Sequence, residues 1–137
     1  MKLHTEISGR GPVLGMIHGW GLHGGIWGPA QGLLERDFRL VRVDLPGHGH
    51  NPRERSGFDL ATAAAELGRA LPWRCHLLGW SLGAIVALRF ALDQPDRGAR
   101  VADRAQQDGV LLLYFLGGGL REDLLGAEPV VGAERVV

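Results

Sequence analysis

The sequence predicts an α/β protein: a mostly parallel sheet covered by helices on both faces. Three observations predict it. Apolar runs at residues 12–18, 39–45 and 75–80 have strand length, and the first two end at glycine or at Pro46-Gly47. The stretches between them carry apolar residues at helical spacing and are long enough to cross over between parallel strands. The chain of 137 residues suits one domain with a single core.

Each element follows from its pattern. "KLHTEI" (2–7) alternates apolar and polar residues, as an edge strand or half of a hairpin does. "PVLGMIHG" (12–19) reads as a buried strand, and a loop, "WGLHGG", follows. Trp27, Ala30 or Gln31, and Leu34 then recur at helical spacing. "RLVRVDLPGHG" (39–49) is the next strand with its turn. Asp59 is a good N-cap for a helix over 59–71, in which Leu60, Ala63, Ala64, Leu67 and Leu71 form one apolar stripe; Pro72 stops it. "CHLLGW" (75–80) is a buried strand, and 82–94 is a helix apolar on most of its faces, which predicts burial.

After Arg97 the character changes. "GARVADRAQQDG" is polar and weakly helical, and "VLLLYFLGGG" is ambiguous between strand and helix. If residues 110–116 form a strand, an edge position is expected. The end repeats six residues imperfectly (126–131 and 132–137), too few copies for a solenoid. The domain reading is therefore a core over 1–97 and an atypical tail over 98–137 that forms no separate domain.

Composition excludes several function classes. Fifteen basic residues balance fifteen acidic ones, so nothing draws the chain to nucleic acid or an anionic membrane. The lone Cys75 cannot make an internal disulfide and begins an apolar run, as a small buried residue does. No secretory signal is visible, and the run 110–116 is too short to span a bilayer. A cytoplasmic location is expected.

Gly79-Trp80-Ser81-Leu82-Gly83 fits G-x-S-x-G. A nucleophile on a sharp strand-to-helix turn needs a strained backbone, and side chains two residues to either side would clash. In a chain with 22 glycines the pattern also arises by chance, or Ser81 is an ordinary helix N-cap. Its setting between a buried strand and a buried helix favours the nucleophile. "HGWG" (18–21) ends the earlier strand, so its turn should lie beside Ser81 at the carboxyl edge of the sheet. The N–H groups of Trp20 and Leu82 would then form a two-donor oxyanion hole. His18 is expected to order the loop by hydrogen bonding, and Trp20 to line the pocket more than Trp80 does. "DLPGHGHN" (44–51) is a tight turn whose His48 and His50 reach the same edge. Both read as solvated, as do Arg53 and Arg55.

"HGWGLHGGIW", "DLPGHG" and "GWSLGA" occur in the order and approximate spacing of the α/β-hydrolase family. Residues 10–97 resemble it, and within it are most similar to esterases of biotin synthesis that cleave the methyl ester of pimeloyl-acyl-carrier protein. The resemblance implies the N-terminal part of that fold, with Ser81 as nucleophile and the N–H groups of Trp20 and Leu82 as oxyanion hole. Trp20 and Leu82 would also border the acyl site, with His18, Gly19, Gly79 and Gly83 as its structural motif. It implies no metal and no organic cofactor. The partner it implies is a small ester, on acyl-carrier protein in the closest case, and it leaves oligomeric state open.

The departures lie at two places. Asn51 stands where members often carry serine. Beyond Arg97 the family has a further core strand, a lid, and two strands bearing an acid and then a histidine. Here Asp103, Asp108 and Asp123 are nominal acids, and all six histidines precede Ser81. The triad base and lid are missing, which reads as a truncated or frame-shifted product. The alternatives are a non-catalytic remnant that binds small apolar acids or esters, and an α/β-hydrolase acting on another ester or a carbon–carbon bond.

Overall fold

In the computed structural model, residues 2–51, 57–94, 99–102 and 110–115 are described. Six strands form one sheet: β1 Thr5–Gly9, β2 Val13–Ile17, β3 Arg39–Val43, β4 His76–Trp80, β5 Ala99–Ala102 and β6 Val110–Phe115. Their order is β1-β3-β2-β4-β6-β5. The three predicted strands are neighbours, with β2 parallel to both β3 and β4. Among the described residues β1 pairs with β3 alone, antiparallel at one edge, as an edge strand does.

The far side of the sheet departs from expectation. β6 lies inside it, antiparallel to β4 on one side and to β5 on the other, and β5 takes the edge. Val110–Phe115 is apolar at every position, the pattern of a strand covered on both faces, whereas an edge strand keeps polar positions. Four strands thus point one way and two the other.

Alternation along the central strands divides the core between two faces. Ile17, Val41 and Val43 join Leu67, Val86 and Phe90 on the face covered by helices α2 (Leu60–Ala70) and α3 (Leu82–Asp93). Leu14, Met16 and Leu40 pack on the opposite face with Trp27 and Leu34, which flank and end the short helix α1 (Gly28–Leu34). Asp59 caps α2 as predicted, its carboxylate accepting the Thr62 N–H at 2.7 Å. Leu71, preceding Pro72, has already turned to extended backbone. Cys75 is buried.

Helix α3 is less buried than its composition implies. Ala84, Ala87, Phe90 and Ala91 face the core, but Ile85, Leu88 and Leu92 remain exposed. With 3.6 residues per turn, one core can cover only one side of a helix.

Candidate active site

Ser81 joins β4 to α3 with φ 52° and ψ −115°, and it is the one non-glycine residue with positive φ among those described. An N-cap serine would sit in the extended region and hold an N–H of the first turn. Ser81 does neither: its side chain makes no capping bond. Leu82 is the first residue of α3, so its N–H has no carbonyl within the helix to reach. The flanking glycines answer to close backbone approach. A Cβ on Gly79 would lie 2.6 Å from both the Ala84 nitrogen and the Gly83 oxygen, and one on Gly83 would strike the carbonyl oxygens of Ile17 and His18.

Register brings the second loop to this junction. Ile17 pairs with Gly79 across the parallel strands β2 and β4, so the residues that follow, His18 and Gly19, emerge beside Trp80 and Ser81. A Cβ on Gly19 would be 3.4 Å from that of Ser81. The Gly19 carbonyl accepts the Leu22 N–H at 3.2 Å, a turn with Trp20 at its second position and Gly21, at φ 72°, at its third. The Trp20 N–H stands outside that turn's hydrogen bond.

His18 is fully buried and ties two loops together. Its Nδ1–H donates to the Gly19 oxygen at 2.7 Å, and its Nε2 accepts the Leu45 N–H at 3.0 Å. These partners fix the neutral tautomer. Burial pushes its pKa below the ordinary value, against the opposing pull of the Gly19 carbonyl. Trp20 is 66% exposed, and its ring stands edge-on to His48 at 5.2 Å and to Phe58 at 5.9 Å. His48 in turn lies 5.3 Å from His18, ring centre to ring centre, and donates Nδ1–H to the Pro46 oxygen at 2.9 Å, and its Nε2 makes no hydrogen bond among the described residues. Trp80 is 37% exposed.

The other histidines are engaged elsewhere. His23 caps the 3-10 turn Gly24–Trp27, and His76 begins β4 at the end of the strand away from Ser81, edge-on to Phe38. His50 is not merely solvated: it donates its backbone N–H and its Nδ1–H to Asp44 Oδ2, each at 2.9 Å. Asp103, Asp108, Asp123, Arg53 and Arg55 lie outside the described residues.

Three residues that hold this edge together escaped the sequence reading. Asp44 Oδ1 accepts the Gly24 N–H at 2.6 Å, and its other oxygen holds His50. Burial raises the Asp44 pKa, but the bonds from Gly24 and His50 outweigh it, and the net shift is downward. Asn51 uses both ends of its amide, Oδ1 accepting the His4 N–H at 2.9 Å and Nδ2 donating to the carbonyls of Asp44 and Leu45. Serine at this position has no such reach. Phe58 packs on Trp20 from beyond the loop, and only its aromatic character offered a signal. The Asp-Leu-Pro-Gly turn did carry one for Asp44, since Asp readily accepts backbone N–H bonds in turns.

A strained serine at a strand–helix turn, facing a second loop across parallel strands, has the local geometry of the G-x-S-x-G turn of α/β-hydrolases. The chain belongs to the alpha/beta hydrolase family, whose profile matches residues 16–135. It is 46% identical over 98 residues to a pimeloyl-[acyl-carrier protein] methyl ester esterase of Aeromonas salmonicida, covering 71% of this chain and 39% of that protein. A protein of the same name from Methylococcus capsulatus is 50% identical over 95 residues, covering 69% and 37%. A crystal structure of a hydrolase from Pseudomonas aeruginosa superposes with a TM-score of 0.64 at 34% identity, over 69% of this chain and 38% of that one. The chain thus spans 37–39% of the length of these two relatives. Among the described residues no helix is long and apolar enough to cross a membrane.

Proposed function

We propose that this chain carries the acylating site of a serine carboxylesterase. Ser81 Oγ bonds to the ester carbonyl carbon, and the developing oxyanion is held by the N–H groups of Trp20 and Leu82. The alcohol leaves with the serine proton, and water then cleaves the acyl–serine bond to give the acid. No cofactor takes part. The observation that carries the reading is the Ser81 backbone, held at φ 52° beside Gly19. Such strain costs about 1–3 kcal/mol and is kept where a mechanism uses it. The names of the relatives point to a methyl ester of a pimeloyl chain on acyl-carrier protein, and the resemblance to biotin-synthesis esterases favours a cytoplasmic location. We place β5 and β6 in one domain with the core over 2–94, since they continue its sheet.

The base is the weak link. Among the described residues His48 is the histidine that borders Trp20 with a free ring nitrogen. Loss of a triad histidine costs a serine hydrolase about a millionfold in kcat. The 137-residue chain is therefore expected to hydrolyse p-nitrophenyl butyrate barely above background, and Ser81→Ala to change that rate little. Extension with a family-like segment bearing an acid and a histidine should restore turnover that Ser81→Ala abolishes. Robust turnover by the unextended chain, lost in both Ser81→Ala and His48→Ala, would instead establish a displaced dyad. No turnover by a folded extended chain would sink the esterase reading.

A further inference from the structure

We propose that His4, Asp44 and His50 form a site for a divalent transition-metal ion of the zinc class, pinning the start of β1 to the loop after β3. One ligand atom from each residue lies within 4.8 Å of the other two. Two imidazoles and a carboxylate are the donor set that such an ion prefers over magnesium or calcium. The proposal is independent of the chemistry at Ser81.

The fold fixes the three backbones before any ion arrives. β1 pairs with β3 from Thr5 opposite Val43, so His4 and Asp44 are next in register, and the Asp44 N–H donates to the His4 oxygen at 3.1 Å. Asn51 accepts the His4 N–H and holds the end of the His50 loop against it. The two histidine rings lie 4.1 Å apart, centre to centre. Asp44 Oδ2 and His50 Nδ1 are 2.9 Å apart, close to the ~3.3 Å between donors on a tetrahedral ion with bonds of about 2.0 Å. Asp44 is already oriented by the Gly24 N–H on its other oxygen, as metal-bound carboxylates are.

His4 supplies the second observation. Its Nε2 is buried without a hydrogen-bond partner. The Glu6 carboxylate stands 3.8 Å away, too far for a hydrogen bond, and its other oxygen is held by Arg42 at 2.8 Å. A buried polar atom without a partner is costly and calls for an explanation. A metal bond to Nε2 would satisfy it, with His50 moving its ring proton to Nε2 and binding through Nδ1. An open cleft of about 450 Å³, lined by both histidines with Lys2, Thr5 and Asn51, gives an ion access and leaves room for water at the remaining position. The pinned loop also carries His48, which stands against Trp20, so the ion would stiffen that wall of the Ser81 site.

The test uses the untagged full chain, stripped with a chelator and titrated with zinc(II) or cobalt(II). One ion per chain should bind, cobalt should develop a tetrahedral visible band, and saturating zinc should raise Tm by roughly 5 °C or more. His4→Ala and His50→Ala should each weaken binding at least about tenfold, and His23→Ala should leave it unchanged. Where a variant fails to fold, imidazole 15N spectra of the wild-type chain decide instead: zinc should move the ring nitrogens of His4 and His50 and spare the other histidines. No Tm rise and no cobalt band, binding that survives both substitutions, or shifts centred on other histidines would overturn the proposal.

Discussion

Gly83 lies so close to His18 that a Cβ on it would sit 2.6 Å from the His18 carbonyl oxygen. The first turn of α3 therefore rests directly on the end of β2, and this contact sets how near the Ser81 turn comes to the Gly19 loop. Gly83→Ala would force the helix off the strand. The expected loss is about 1–3 kcal/mol, the usual cost of overpacking, read as a lower urea midpoint with the slope unchanged.

Ser81→Gly should act in the opposite sense on stability. Glycine takes positive φ without strain, which outweighs its own entropic cost here. The variant should gain about 1 kcal/mol in urea unfolding. A variant less stable than the parent would mean that the serine backbone is not strained.

Asn51→Ala removes the acceptor of the His4 N–H and the donor to two loop carbonyls. Leaving those buried groups unsatisfied should cost about 1–3 kcal/mol. Asn51→Ser should recover little of it, because the shorter side chain cannot span β1 and the loop. Hydrogen exchange at the His4 amide checks the local effect.

Stability should fall as acidity rises through two windows. His18 resists protonation in the folded chain because burial disfavours its charge, whereas the unfolded ring titrates near 6.5. The unfolded state thus binds more protons below that value, so stability is full above pH 6.5 and declines beneath it. His76, also depressed by burial, adds to the same limb. Asp44 acts lower: its folded pKa lies below 3.8, so its contribution is lost only as pH falls through that depressed value. Urea unfolding from about pH 7.5 to 5 should show the first decline. His18→Gln should flatten it, and an unchanged slope would mean that His18 is protonated when folded.

The sequence by itself determined the elements up to residue 94 and the position of Ser81; beyond them Ala99–Ala102, which reads as weakly helical, is strand β5 because it pairs with β6. Periodicity marked β2, β3, β4, α2 and α3, since burial of one face writes a repeat of 2 or 3.6 into the chain. G-x-S-x-G marked the turn, since only glycine tolerates the backbone approach at Gly79 and Gly83. What only the tertiary structure decided is what meets across the sheet. Residues 110–115 read equally as strand or helix, and pairing with both β4 and β5 settled it. His50 read as a solvated loop residue, because nothing local shows that strand pairing would bring His4 beside it. His18 and Trp20 lie far along the chain from His48 and Phe58 and become their neighbours only after β2 and β3 align. Local pattern follows from which face of an element is buried; the partners on that face are set by register between segments far apart, which no single stretch of sequence encodes.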